Sequence, residues 1–271
     1  MMLVALLAAW PASAPATDIP LIWDTKERLQ RPDLSQLARL RFLTTTDFPP
    51  FNFFDANGRL TGFHIDLARA ICAELAISER CQIQALPWGE LQQALANGEG
   101  EAILAGVSIT AQSRATYAFS RPYLLLPARF VMRRSANAQE PMYDRVQDQR
   151  IGVLAGSTHE RMLRADFGAV KPVTYSNPEW MYRDLRDGKI AGIFGDGMRL
   201  SFWLGSAESG GCCAFAGGPY LAPDFLGHGL AIAVRPDDTV LAQAFDHALQ
   251  QIAVEGTLAE LYLRYFPVGF F

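Results

Sequence analysis

Charge held away from water must meet an opposite charge or hydrogen-bond donors, or it is expensive. Two segments carry groups that could supply such a partner. Asp196, in IAGIFGD, follows an apolar run. Its carboxylate therefore stands at a strand end, where it either faces a cleft mouth or caps a helix. Thr158, preceded by Ser157 in LAGSTHE, lies where a Gly-rich turn opens a helix. The free N–H groups and hydroxyl of such a turn suit an anion, and the same geometry serves an ordinary cap. Covalent and metal chemistry find no comparable support. The chain has no P-loop, HExxH motif or Ser-His-Asp order. His64, His159, His228 and His247 are scattered singly, and Cys72, Cys81, Cys212 and Cys213 lack zinc-ligand spacing. No catalytic residue, metal or cofactor is expected.

The elements that must position these groups alternate between strand and helix from Leu40 onward, the pattern of α/β layers over largely parallel sheets. Strands are expected over Leu40–Thr45, Cys81–Leu86 and Ala102–Val107. Ile65, Ala68, Ile71, Cys72 and Leu75 share one face of a helix over Ile65–Leu75. Asp55–Gly58 reads as a turn and Glu90–Ala96 as a helix. The pattern restarts after Pro122, with strands over Ala128–Arg133, Ile151–Leu154 and Ala191–Phe194 and a helix around Trp180–Asp187. An amphipathic helix over Val240–Ala253 closes two successive α/β units.

At 271 residues and 50% apolar composition the chain can bury two compact lobes. Its 24 Lys+Arg against 28 Asp+Glu give a net charge of −4. No basic field exists to attract nucleic acid or anionic lipid. The apolar run MLVALLAAW is too short to span a bilayer, and PASAPAT supplies small residues two apart for cleavage after Ala16. Residues 1–16 read as an export signal. Residues 17–37 read as an N-terminal extension with a short helix around Thr25–Gln30. The mature protein is expected to be soluble and outside the cytoplasm.

The blocks LRFLTTTDFPPFNFFDANGRLTGFHIDLARAICAEL, AILAGVSIT…FSRPY, RIGVLAGST, GKIAGIFGD, LAIAVRPDD and EGTLAELYLRYF occur in that order over about Leu40 to Phe266. Together they resemble the bacterial extracellular solute-binding proteins of family 3, the polar amino-acid class. The resemblance implies an α/β, two-lobed periplasmic binding protein of the type II-like clamshell kind, its lobes joined by hinge strands. Lobe 1 would take 38–125 and 223–271, and lobe 2 would take 126–222. The implied partners are a small-molecule ligand (an amino acid or small carboxylate) and the membrane permease of an ABC transporter, with the protein itself a monomer.

The resemblance also assigns roles. Asp196 would hold the ligand's ammonium, while Thr158 and Ser157 would bind its carboxylate from lobe 2. Gly106 and Ser108 would contribute from lobe 1, and Phe48 and Trp88 would wall the side chain. The family's carboxylate-clamping Arg, three residues after the Thr of Ser-Ile-Thr, is Ser113 here. The Arg comes one later, at Arg114, about 100° away around a helix. Arg114 is taken as the clamp. Where basic-amino-acid binders carry an acid, this chain has Thr45, with Asp47 nearby as the acid that could compensate; a neutral polar or apolar ligand is expected. The resemblance further implies a Cys72–Cys81 disulfide, which an exported protein permits. Cys212 and Cys213, with Cα atoms about 3.8 Å apart, are either a vicinal disulfide or free thiols. Two other readings accompany the importer. One is a sensory or accessory protein of the same fold. The other is an enzyme resembling cyclohexadienyl dehydratases, for which Glu160 or Asp47 would be the extra cleft acid.

Overall fold

The structure, a computed structural model, describes residues 23–24, 26–136 and 140–271. The export signal expected at 1–16 lies outside them. Residues 26–30 form a turn and irregular chain instead of the expected short helix. This extension packs on the first unit: Trp23 joins its core, with the Arg121 guanidinium 5.6 Å over its ring.

The first segment runs β1 (Leu40–Thr44), a small meander of β2 (Asp47–Phe48), β3 (Asn52–Phe54) and β4 (Leu60–Thr61), then α1 (Phe63–Glu74), β5 (Cys81–Ala85), α2 (Trp88–Ala96), β6 (Ala102–Ile103), α3 (Ala111–Arg114) and β7 (Ala118–Phe119). The second runs β8 (Ala128–Arg133), α4 (Met142–Val146), β9 (Arg150–Leu154), α5 (Thr158–Asp166), β10 (Lys171–Tyr175), α6 (Pro178–Arg186), β11 (Gly192–Asp196), α7 (Gly197–Gly205) and β12 (Cys213–Tyr220). The chain returns through α8 (Pro223–Leu226), β13 (Ala233–Val234), α9 (Thr239–Val254) and α10 (Thr257–Tyr265).

Two five-stranded sheets result, ordered β5-β1-β6-β13-β7 and β10-β9-β11-β8-β12. In each, three parallel strands are followed by an antiparallel one, and that strand is the first laid down after the chain changes sheet. The crossings also pair with each other, Tyr123 N–H donating to Leu230 O at 2.9 Å and Leu230 N–H to Leu124 O at 2.8 Å.

Apolar periodicity explains the covering helices. α1 buries Phe63, Leu67, Ala68 and Ile71 against α9, whose Leu241, Phe245, Leu249 and Ile252 form the facing stripe. The Phe245 ring lies 5.5 Å from Phe42 of β1, tying the helix layer to the central strand. Burying one such ring contributes about 2–3 kcal/mol. Gly62 opens α1 at φ +127°, where a Cβ would collide with the Phe51 carbonyl. Only glycine fits that junction.

Cys72 at the end of α1 and Cys81 at the start of β5 are disulfide-bonded, with Cα atoms 6.3 Å apart. Cys212 and Cys213 are also bonded to each other, which settles the alternative left open by their spacing.

Candidate functional site

Open parallel sheets place ligands beyond the carboxyl ends of the strands where the strand order reverses. In the first sheet that point lies between β1 and β6, in the second between β9 and β11. The chain continues from those four strands into Thr45–Phe48, Leu104–Ser108, Ala155–Thr158 and Asp196.

On the first unit a cavity of about 450 Å³ opens beside Trp88, Gly106 and Ser108, with Gln92, Thr116 and Tyr117 across from them. Trp88 begins α2 and stays 57% exposed, so it lines this cavity and is not a core ring. Phe48 stacks on Phe51 at 4.7 Å and lies against Gly106, where a Cβ would come 2.7 Å from its ring. Gly106, at φ +84°, thus lets an aromatic ring lie directly on the backbone. Trp88, Gly106 and Ser108 line this cavity, and Phe48 lies beside it against Gly106 without lining it.

On the second unit a cavity of about 190 Å³ is lined by Ser157, His159, Tyr182, Asp196 and Arg199, with apolar neighbours. The Ser157 hydroxyl donates to Leu154 O at 2.6 Å and accepts from Glu160 N–H at 3.0 Å, so Ser157 is the cap of α5. That leaves the N–H groups of Thr158 and His159 as the open donors of the helix start. The Thr158 hydroxyl has no hydrogen-bond partner among the described residues. Asp196 Oδ1 accepts from Arg199 N–H at 2.8 Å, capping α7. Its Oδ2 has no partner among the described residues. Cap and ligand partner are therefore compatible roles, one oxygen for each.

Arg114 stands apart. Thr110 and Ser113 form a capping box: Ser113 N–H donates to Thr110 Oγ1 at 3.0 Å, and Thr110 N–H donates to Ser113 Oγ at 2.9 Å. The third residue of the short helix α3 must face back to its cap, so the fourth rotates away. Arg114 is exposed and makes no side-chain hydrogen bond or ion pair among the described residues. It does not line either cavity, whereas Ser113 lines the larger.

The sequence reading missed three groups. His159 and Arg199 line the second cavity, one residue after Thr158 and three after Asp196, a first-turn spacing that could have pointed to them. Burial holds the His159 imidazole below its usual range. Asp196 opposes that shift and Arg199 reinforces it. A buried chain also runs behind Phe48. Asn52 Nδ2 donates to Thr45 Oγ1 at 2.6 Å, Asn52 Oδ1 meets His64 Nδ1 at 2.7 Å, and His64 Nε2 meets the Tyr123 hydroxyl at 2.8 Å. Burial lowers the His64 imidazole to about 3, so it is neutral. Glu160, one of two acids considered for proton transfer, is spent on Gly156 N–H and Arg164. The Arg164 guanidinium, then Gly156 N–H, lower its carboxyl from the usual value. Asp47 is exposed on β2.

A family model described as bacterial extracellular solute-binding proteins, family 3, matches residues 40–268. The chain is 31% identical over 227 residues to a putative ABC transporter arginine-binding protein 2 of Escherichia coli K12, covering 84% of this chain and 90% of that protein. It is 29% identical over 221 residues to the L-arginine-binding protein of Pseudomonas aeruginosa, covering 81% and 84%. Among solved structures it is similar to a periplasmic binding protein of Salmonella typhimurium described as having high arginine specificity. That match has 29% identity and a TM-score of 0.51, and covers 84% of this chain and 100% of that one.

Proposed function

The chain belongs to the bacterial extracellular solute-binding proteins of family 3, and from that premise we propose that it captures an amino acid or related small polar molecule between two lobes for delivery to an ABC importer. The lobes are 38–125 with 223–271, and 126–222. Asp196 Oδ2 receives the ligand's ammonium. The open N–H groups of Thr158 and His159, with the Thr158 hydroxyl, receive its carboxylate. Phe48 and Trp88 flank the remainder, and Gly106 and Ser108 supply polar contacts. One observation carries this reading: an uncommitted carboxylate oxygen and an unfilled helix start stand at the ends of neighbouring central strands. Closure about the two crossings would bring the first unit's cavity over them, as hinged domains enclose ligands.

Both relatives are named as binding proteins, and one of them as a protein of an ABC transporter, which supports a binder over a catalyst and a permease as its partner. Export with removal of residues 1–16, a periplasmic location and a monomeric state complete the proposal. The outward Arg114 favours one second reading, a sensory or accessory protein of the same fold that signals to a receptor or dehydrogenase.

Thermal unfolding against a panel of amino acids and small carboxylates tests the proposal. A ligand of micromolar Kd at millimolar concentration adds about 4 kcal/mol. A shift with an amino acid supports the transport reading. Silence across the panel overturns it and leaves the accessory one.

A further inference from the structure

The charges of the two cavities are unequal. The larger, on the first unit, is lined among the described residues by no Asp, Glu, Lys, Arg or His. Its polar groups are amides and hydroxyls. Gln92, Ser108, Gln112, Thr116 and Tyr117 all have side-chain donors or acceptors without a hydrogen-bond partner among the described residues. The smaller cavity holds the ionisable set His159, Asp196 and Arg199. Behind the first unit's wall the buried chain Thr45–Asn52–His64–Tyr123 is satisfied internally and uncharged, so the floor supplies no anion either. Lobe 2 can therefore hold a zwitterionic head, while the lobe 1 cavity offers only neutral donors and acceptors.

Resting on the receptor reading above, we propose that the ligand's side chain is an uncharged hydrogen-bonding group, an amide or hydroxyl, seated in the lobe 1 cavity, and that guanidinium and ammonium side chains are rejected. The five uncommitted groups supply both donors and acceptors, which an amide uses in full and a cation only in half. A cation shut into that cavity would lose its hydration with no counter-ion to replace it. This separates the chain from the relatives whose names specify arginine.

Calorimetric titration of the full chain with L-glutamine, L-asparagine, L-serine, L-arginine, L-lysine and L-glutamate tests the inference. At least one of the three neutral ligands should bind about a hundredfold tighter than arginine and lysine, the scale on which an unmatched polar group is rejected. The near-isosteric Gln92→Glu puts a carboxylate in the cavity wall. It should raise the arginine-to-glutamine affinity ratio at least about tenfold, as opposite charges do when water is excluded. Arginine binding as tightly as glutamine to the natural chain would overturn the inference and leave the receptor reading intact. So would an unchanged ratio in Gln92→Glu. Silence with every amino acid, from protein showing a cooperative melt, would overturn both.

Discussion

Acidification from pH 7 to pH 5 loads a buried group and a half-buried one in opposite directions, and their near-cancellation is testable. His64 is buried beneath the site with its imidazole lowered from 6.5 to about 3. Between those values the unfolded chain binds the proton and the folded one does not, so His64 makes stability fall as pH falls. At pH 5 the gap is 1.5 units, a loss of about 2 kcal/mol at 1.36 kcal/mol per unit. Asp246 behaves oppositely. Burial raises its carboxyl from 3.8 to about 6, with the Arg121 N–H and guanidinium opposing that shift and Glu27 adding to it. Here the folded state binds the extra proton, and stability rises by about 1.4 kcal/mol on reaching pH 5. These two groups leave the natural chain a net loss of about 0.6 kcal/mol over this range, and His159 adds a further loss of the same sign. Asp246→Asn keeps the acceptor for Arg121 N–H, which lies 2.6 Å away, and removes the titration. In urea unfolding at 25 °C, that variant should lose about 2 kcal/mol or somewhat more between pH 7 and pH 5. Parallel pH profiles for the two proteins would refute the opposing-group argument, and a flat profile for Asp246→Asn would refute a neutral buried His64.

The other predictions concern binding and the disulfide. Asn caps a helix about as well as Asp, so Asp196→Asn should melt within about 0.5 kcal/mol of the natural chain while ligand affinity drops more than about tenfold. Arg114→Ala should change affinity less than about threefold by calorimetry, since exposed unpaired charges contribute little. An affinity loss on the scale of Asp196→Asn would restore Arg114 as a clamp. Cys72→Ser should cost about 2–3 kcal/mol in urea unfolding, the chain-entropy value for a loop closed over a separation of 9 residues. No change would mean that the bond constrains nothing the unfolded chain explores.

Much of this fold was legible because local periodicity and tertiary demand agree. The apolar face read over Ile65–Leu75 is the buried face of α1, and the stripe of Val240–Ala253 is that of α9, except that Val240 itself is exposed. Legibility failed where an element owes its form to a neighbour. β10 opens Lys171-Pro172 with no apolar run, and β12 carries Gly217, Gly218 and Pro219, yet both are held by ladder partners. Ala102–Val107 reads as one strand, but only Ala102–Ile103 pairs as such, because the chain must leave the sheet at Gly106 to receive Phe48. The Arg114 assignment rested on position alone. The capping box that turns it outward depends on how α3 begins, which linear spacing does not encode. The His64 network was out of reach altogether, since its four members come from four separate parts of the chain.

The two sheets share an order that does more than repeat an architecture. Because each crossing feeds straight into the antiparallel fourth strand, the residues where the chain changes unit stand in the same ladders as the candidate ligand groups. Asp196 pairs in register with Ala128, the first residue of β8, and Gly197 N–H donates to Pro127 O at 2.9 Å. On the other side Ser108 bridges to Leu230, and Ala231 N–H donates to Val107 O at 3.2 Å. Leu230 is itself bonded to Tyr123 and Leu124 of the opposite crossing. If the two units close as proposed, a rotation about the crossings would act on Asp196 and Ser108 through these backbone hydrogen bonds. Equally, a ligand that bonds Asp196 and Ser108 together fixes the crossings directly, which is the coupling a receptor needs if its closed shape is to report that the cleft is full.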